Sequence, residues 1–98
     1  MQKGLNITHD SEYGISVAQL YDTRVVRIDH NNHTVTLCTG GWVTASTAKA
    51  MNTMLTKYGI SFRVFRRKGV MYVHNGTKEP IEIDNVLHLG VMQCLPLY

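Results

Sequence analysis

Thr34-Val35-Thr36-Leu37-Cys38-Thr39-Gly40-Gly41-Trp42-Val43-Thr44-Ala45-Ser46-Thr47-Ala48-Lys49-Ala50-Met51-Asn52-Thr53-Met54-Leu55-Thr56-Lys57-Tyr58-Gly59 changes its period once, at the two glycines. Before them Thr34 to Thr39 alternates polar and apolar residues, the period of a half-buried strand. After them Met51, Met54, Leu55 and Tyr58 fall at i, i+3, i+4 and i+7, with Lys49, Asn52, Thr53, Thr56 and Lys57 on the other side. That spacing predicts a helix, for which Thr44, Ser46 and Thr47 are candidate N-caps and Gly59 the C-terminal stop. A helix of about twelve residues is marginal alone. Its apolar stripe therefore needs a sheet to lie on.

Upstream, Leu20 to Asp29 is rich in strand formers, and His30-Asn31-Asn32-His33 is a turn in which asparagine tolerates positive φ. Downstream, Ser61 to Arg66 and Val70 to His74 flank a turn at Arg67-Lys68-Gly69, and Pro80-Ile81-Glu82-Ile83 suits a short edge strand. The expected architecture is α+β: a two-layer ββαββ domain, a mostly antiparallel sheet with one helix packed on one face. Residues 1–98 form one domain, with an irregular arm over 1–18, a core over 19–84 and an apolar tail over 85–98.

Ninety-eight residues are enough for one core, burying about 60–65% of the unfolded surface. With 44% apolar and 17% charged residues the balance is globular, and no apolar run is long enough for a membrane span. Met1-Gln2-Lys3-Gly4-Leu5-Asn6 lacks the apolar region of a signal peptide, so a cytoplasmic protein is expected. In that reducing compartment Cys38 and Cys94 should be free, buried thiols. A net charge of +3 permits nucleic-acid binding without demanding it.

Leu20-Tyr21-Asp22-Thr23 before Val25-Val26, Thr39-Gly40-Gly41-Trp42-Val43-Thr44-Ala45-Ser46-Thr47, Met51-Asn52 and Arg67-Lys68-Gly69 together resemble a group of small tailed-bacteriophage proteins. The resemblance runs from Leu20 to about His74, leaving the first nineteen and last twenty or so residues outside it. It implies a phage origin and a place in the cytoplasm of the infected host. It assigns no activity and no site residues.

Four sets of residues are candidates for binding. Gly40, Gly41, Thr44 and Ser46, ahead of a helix, offer backbone N–H groups and hydroxyls to an anion, although the Gly-Lys-Ser/Thr ending of a phosphate loop is missing. Arg63, Phe65, Arg66, Arg67 and Lys68 form a basic hairpin with interleaved aromatics, the pattern of nucleic-acid contact; the same charges also keep a sheet edge soluble. Alternation places Arg63 and Phe65 together, on the face opposite Phe62 and Val64. Trp42 with Met92, Leu95, Leu97 and Tyr98 could meet a partner or a second copy in a homodimer, or pack on the domain itself. The five histidines and two cysteines show no zinc-site spacing, and turn polarity accounts for His30 and His33.

Seven carboxylates without a paired arrangement give no catalytic constellation, so neither an enzyme nor a cofactor is expected. The expected function is a non-catalytic phage accessory protein that binds a protein, a host one that it inhibits or redirects. The alternative is a small nucleic-acid-binding module using hairpin 61–74.

Overall fold

A computed structural model describes residues 2–74 and 79–90. Eight strands and one helix follow in chain order: β1 (Leu5–Asp10), β2 (Ile15–Leu20), β3 (Thr23–Asp29), β4 (Thr34–Cys38), α1 (Ala45–Lys57), β5 (Arg63–Arg67), β6 (Val70–His74), β7 (Ile81–Glu82) and β8 (Val86–Gly90). They make two antiparallel sheets, one of five strands in the order β1-β2-β3-β4-β8 and one of three in the order β5-β6-β7.

This corrects the expected ββαββ layer. The two hairpins around the helix exist, but they do not share a sheet. One edge of the β3–β4 pair is taken by β2 and the other by β8, so no edge remains for β5–β6. The expected irregular arm is instead the β1–β2 hairpin, and residues 86–90 of the expected tail are the strand β8.

The first hairpin escaped the hydrophobic pattern because β2, unlike the regularly alternating β1, buries the wrong kind of residue. In β2 the buried positions are Ser16, Ala18 and Leu20, while Ile15, Val17 and Gln19 face outward. Small and polar residues inside, with β-branched residues outside, cancel the alternation by which an amphipathic strand is recognised. A single buried Ser-His chain makes this arrangement stable: Ser16 Oγ lies 2.6 Å from His9 Nδ1 and 2.8 Å from His30 Nε2. One hydroxyl carries one proton, so Ser16 donates to one imidazole and accepts from the other. His30 is therefore not a polar turn residue; it is 1% exposed and its ring stands 5.3 Å from that of Tyr58.

In β3 the register passes from Ala18↔Val26 to Gln19↔Arg24, so Val25 is an extra residue in a bulge. Both consecutive valines are buried as a result. Arg24 and Arg27, which a regular strand would send to opposite faces, both line a shallow basin on the outer face of the five-stranded sheet.

The helix follows its sequence signals. Thr44 is the N-cap, its Oγ1 accepting from the Thr47 N–H at 3.2 Å. At the other end Ile60 N–H donates to Leu55 O and Gly59 N–H to Thr56 O, the paired bonds of a Schellman stop. Ala50, Met51, Met54, Leu55 and Tyr58 enter one core with Leu20, Val26, Ile28, Leu37, Val64, Met71, Val73 and Ile83. The helix contacts β2 and β3 on one side and β5 on the other. It thus joins the two sheets.

Asn52 fixes the second junction. Its Nδ2 donates to Val64 O and its Oδ1 accepts from Val64 N–H, both at 2.8 Å. One side-chain amide thereby takes the place of a strand on the open edge of β5, and Arg63 Nη1 donates to Thr56 Oγ1 beside it at 3.1 Å. An unpaired edge that would template another chain is closed by the helix.

Candidate functional site

Two exposed aromatic residues, Tyr21 and Trp42, line one cleft. The β2–β3 turn contains only Tyr21 and Asp22 between the paired residues Leu20 and Thr23. Tyr21 sits at φ 52°, a left-handed conformation that a bulky side chain seldom adopts and that costs about 1–3 kcal/mol. Its N–H donates to Gly4 O at 2.8 Å, and a Cβ built on Gly4 would lie 2.5 Å from the Tyr21 ring. The ring therefore rests on a bare glycine backbone, yet the residue remains 63% exposed.

Trp42 reaches the same place by another route. After β4, Gly40 and Gly41 both adopt positive φ, at 59° and 84°, and swing the chain round so that Trp42 N–H donates to Thr39 O at 2.9 Å. A Cβ on Gly40 would be 2.7 Å from Thr23 Cγ2, so this turn packs against the start of β3. Trp42 is 64% exposed.

Between the two rings is a cleft of about 360 Å³. Leu20 and Val25 line it together with the Asp22 carboxylate and the hydroxyls of Thr44 and Ser46. An apolar floor, two large rings and a few polar groups are what a pocket needs to hold an apolar or aromatic group in a fixed pose. Trp and Tyr supply much contact area at little entropy cost, which is why they dominate binding hot spots.

The other expected site residues are dispersed. Gly40, Gly41, Thr44 and Ser46 are near one another, but Gly41 N–H donates to Thr39 Oγ1, Thr47 N–H to Thr44 Oγ1 and Ala48 N–H to Thr44 O. These donors are occupied by the helix cap and the turn, and Ser46 O accepts from Gln2 Nε2 at 2.9 Å. Arg63, Phe65 and Arg67 do share a strand face, whereas Arg66 is opposite the buried Met71 and Lys68 is in the turn. Cys38 is a half-buried free thiol rather than a buried one. Met92, Cys94, Leu95, Leu97 and Tyr98 lie outside the described residues. Among the described residues no three His, Cys, Asp or Glu side chains gather, and no helix is long and apolar enough to cross a membrane.

Tyr21 is the site residue that the sequence did not single out. The signal was present: Tyr-Asp stands between two apolar runs, where a two-residue hairpin turn requires a left-handed residue. Without a glycine or asparagine there, the turn read as the start of the strand from Leu20 to Asp29, and β2 as part of an irregular arm.

A family model described as Kyanoviridae Gp96 protein matches residues 3–88. The matched span takes in β1 and β2 as well as the helix and both halves of the cleft, and so reaches well outside the Leu20 to His74 stretch. No curated protein and no solved structure matches the chain.

Proposed function

The chain belongs to the Kyanoviridae Gp96 protein family of tailed phages, and on that premise we propose that it is an accessory protein which performs no chemistry of its own and acts by binding a host protein. The cleft between Tyr21 and Trp42 is the docking point, and it takes an apolar or aromatic side chain of the partner. One observation carries this: an aromatic residue is held in a strained turn, at a cost to stability, and the ring so placed is left open beside a second exposed ring. Asp22 and Ser46, which line the cleft, supply the polar rim that orients the partner's backbone, while the Thr44 hydroxyl stays engaged as the helix cap.

A photo-crosslinking residue placed at position 42, and separately at position 21, should give one and the same stoichiometric protein adduct in a lysate of the host bacterium. The same residue at Lys57, on the exposed side of α1, should not give it. With the partner purified, Trp42→Ala should weaken binding by about 2 kcal/mol, roughly thirtyfold. Adducts that do not differ between positions 42 and 57 would remove the proposal.

A further inference from the structure

The outer face of the three-stranded sheet carries a different kind of surface. Register pairs Phe65 with Tyr72 directly across β5 and β6, and their rings stack at 5.5 Å between centroids with 21° between planes. Two residues along β5 on the same face, the Arg67 guanidinium lies 5.6 Å from the Phe65 centroid. Two residues the other way is Arg63, whose guanidinium reaches over the edge of β5 to helix α1, Nη1 donating to Thr56 Oγ1 at 3.1 Å. Along β5 the positions on this side therefore run Arg63, Phe65, Arg67, the strand rise setting the two arginine backbones about 13 Å apart, with the Arg67 guanidinium at the ring and that of Arg63 at the strand's edge. Both rings are half-buried and both arginines exposed. Beyond β6 the face continues to Glu82, the register partner of Tyr72.

We infer that this face binds single-stranded nucleic acid, with bases stacking on the Phe65–Tyr72 pair and backbone phosphates on Arg63 and Arg67. Charge complementarity selects the occupant. Arg67 lies on the face, Arg63 at its edge and Lys68 in the turn at its tip, and Glu82 is the acid among the described residues of its strands. Two half-buried rings stacked on each other, with the Arg67 guanidinium beside them, extend a stack that unpaired bases, whose faces are exposed, can join and that a duplex, whose bases are stacked on one another, cannot. The docking cleft at Tyr21 and Trp42 plays no part in it, so this inference does not rest on the proposed function.

The test is fluorescence anisotropy with labelled twenty-nucleotide poly-dT, poly-rU and a duplex of the same length, across a salt series. Micromolar binding to the single strands, at least tenfold tighter than to the duplex, is expected, with log K falling against log salt at a slope of about −2 to −3. Phe65→Leu with Tyr72→Leu keeps an apolar sheet face but removes the rings; it should cost at least tenfold in affinity and leave the slope unchanged. Arg63→Gln with Arg67→Gln should lower the slope by about 1.4, and Glu82→Gln should tighten binding two- to threefold. The three charge substitutions lie on the surface, so the test stands even where the double Leu variant folds poorly. No binding at low salt overturns the inference. So does binding that survives Arg63→Gln with Arg67→Gln and is lost on Arg24→Gln with Arg27→Gln, which would place the anion on the five-stranded sheet. Equal affinity for the duplex would reduce the surface to a charge patch, and overturns it too.

Discussion

The β1–β2 hairpin adds side-chain bonds to a backbone turn at Gly14, which has φ 66° and donates its N–H to Asp10 O at 2.8 Å, whereas the β5–β6 hairpin closes on the geometry of its turn alone. In the first, Asp10 Oδ1 accepts from the N–H groups of Glu12 and Tyr13 at 3.0 and 3.3 Å, and Asn31 from the neighbouring loop donates to Tyr13 O at 2.9 Å. Its interior is held by Ser16 between two imidazoles. In the second, Lys68 and Gly69 both take positive φ, at 50° and 76°, which closes a two-residue turn whose twist matches the strands. Its interior is apolar, Val64, Met71 and Val73. The second kind is written locally in the chain and the first only in part, because Asp10 bonds near neighbours while Ser16 meets His30 and Asn31 meets Tyr13 across 14 and 18 positions.

The largest effect should come from the polar interior. Ser16→Ala leaves two ring nitrogens without their shared hydroxyl and should cost about 3 kcal/mol in urea unfolding. A loss below about 1 kcal/mol would mean that the first hairpin is held by its backbone after all. Next is the outer edge of the second hairpin, where Asn52→Ala strips both backbone groups of Val64 of their partner. A loss of about 2 kcal/mol is expected, together with faster amide exchange at Val64.

Smaller effects belong to the turns. Lys68→Asn, better suited to positive φ, should stabilise the protein by about 0.5 kcal/mol, and Gly69→Ala should cost about 1 kcal/mol. The β3–β4 loop is closed by a side chain, as the β1–β2 loop is. Asp29 accepts from Asn32 Nδ2 and from the N–H groups of Asn32 and Asn31, and with nearby Arg27 these hold its carboxyl below the ordinary aspartate value. Its folded value lies below its unfolded one, so its contribution is complete above the unfolded value and is lost as pH falls through the folded one. Because the carboxyl is close to solvent, Asp29→Asn should flatten the acid limb of the stability profile by only about 0.3 kcal/mol.

The same contrast divides what was legible in the chain. The helix with its two ends, the β5–β6 hairpin and the shared face of Arg63 and Phe65 could all be read, since each follows from residues within one or two turns of one another. The turn at His30 to His33 was placed correctly, but positive φ falls on His33 at 55° rather than on either asparagine. Asn31 and Asn32 are there for their amide groups instead, bonded to Tyr13 O and to Asp29. Of the cleft, Trp42 stood out as an apolar residue after two glycines, while Tyr21 was concealed inside what read as a continuous strand.

By itself the sequence determined a small chain with one amphipathic helix, hairpins on either side of it and a basic turn, because period, capping and turn preference act between near neighbours. Only the tertiary structure decided that there are two sheets rather than one, since β2 and β8 occupy the edges of the β3–β4 pair and leave none to the second hairpin. It alone brought Tyr21 beside Trp42 and laid Asn52 along the edge of β5. These are contacts between segments whose separation along the chain leaves no periodic trace, and their stability comes from satisfying buried polar groups and closing exposed edges.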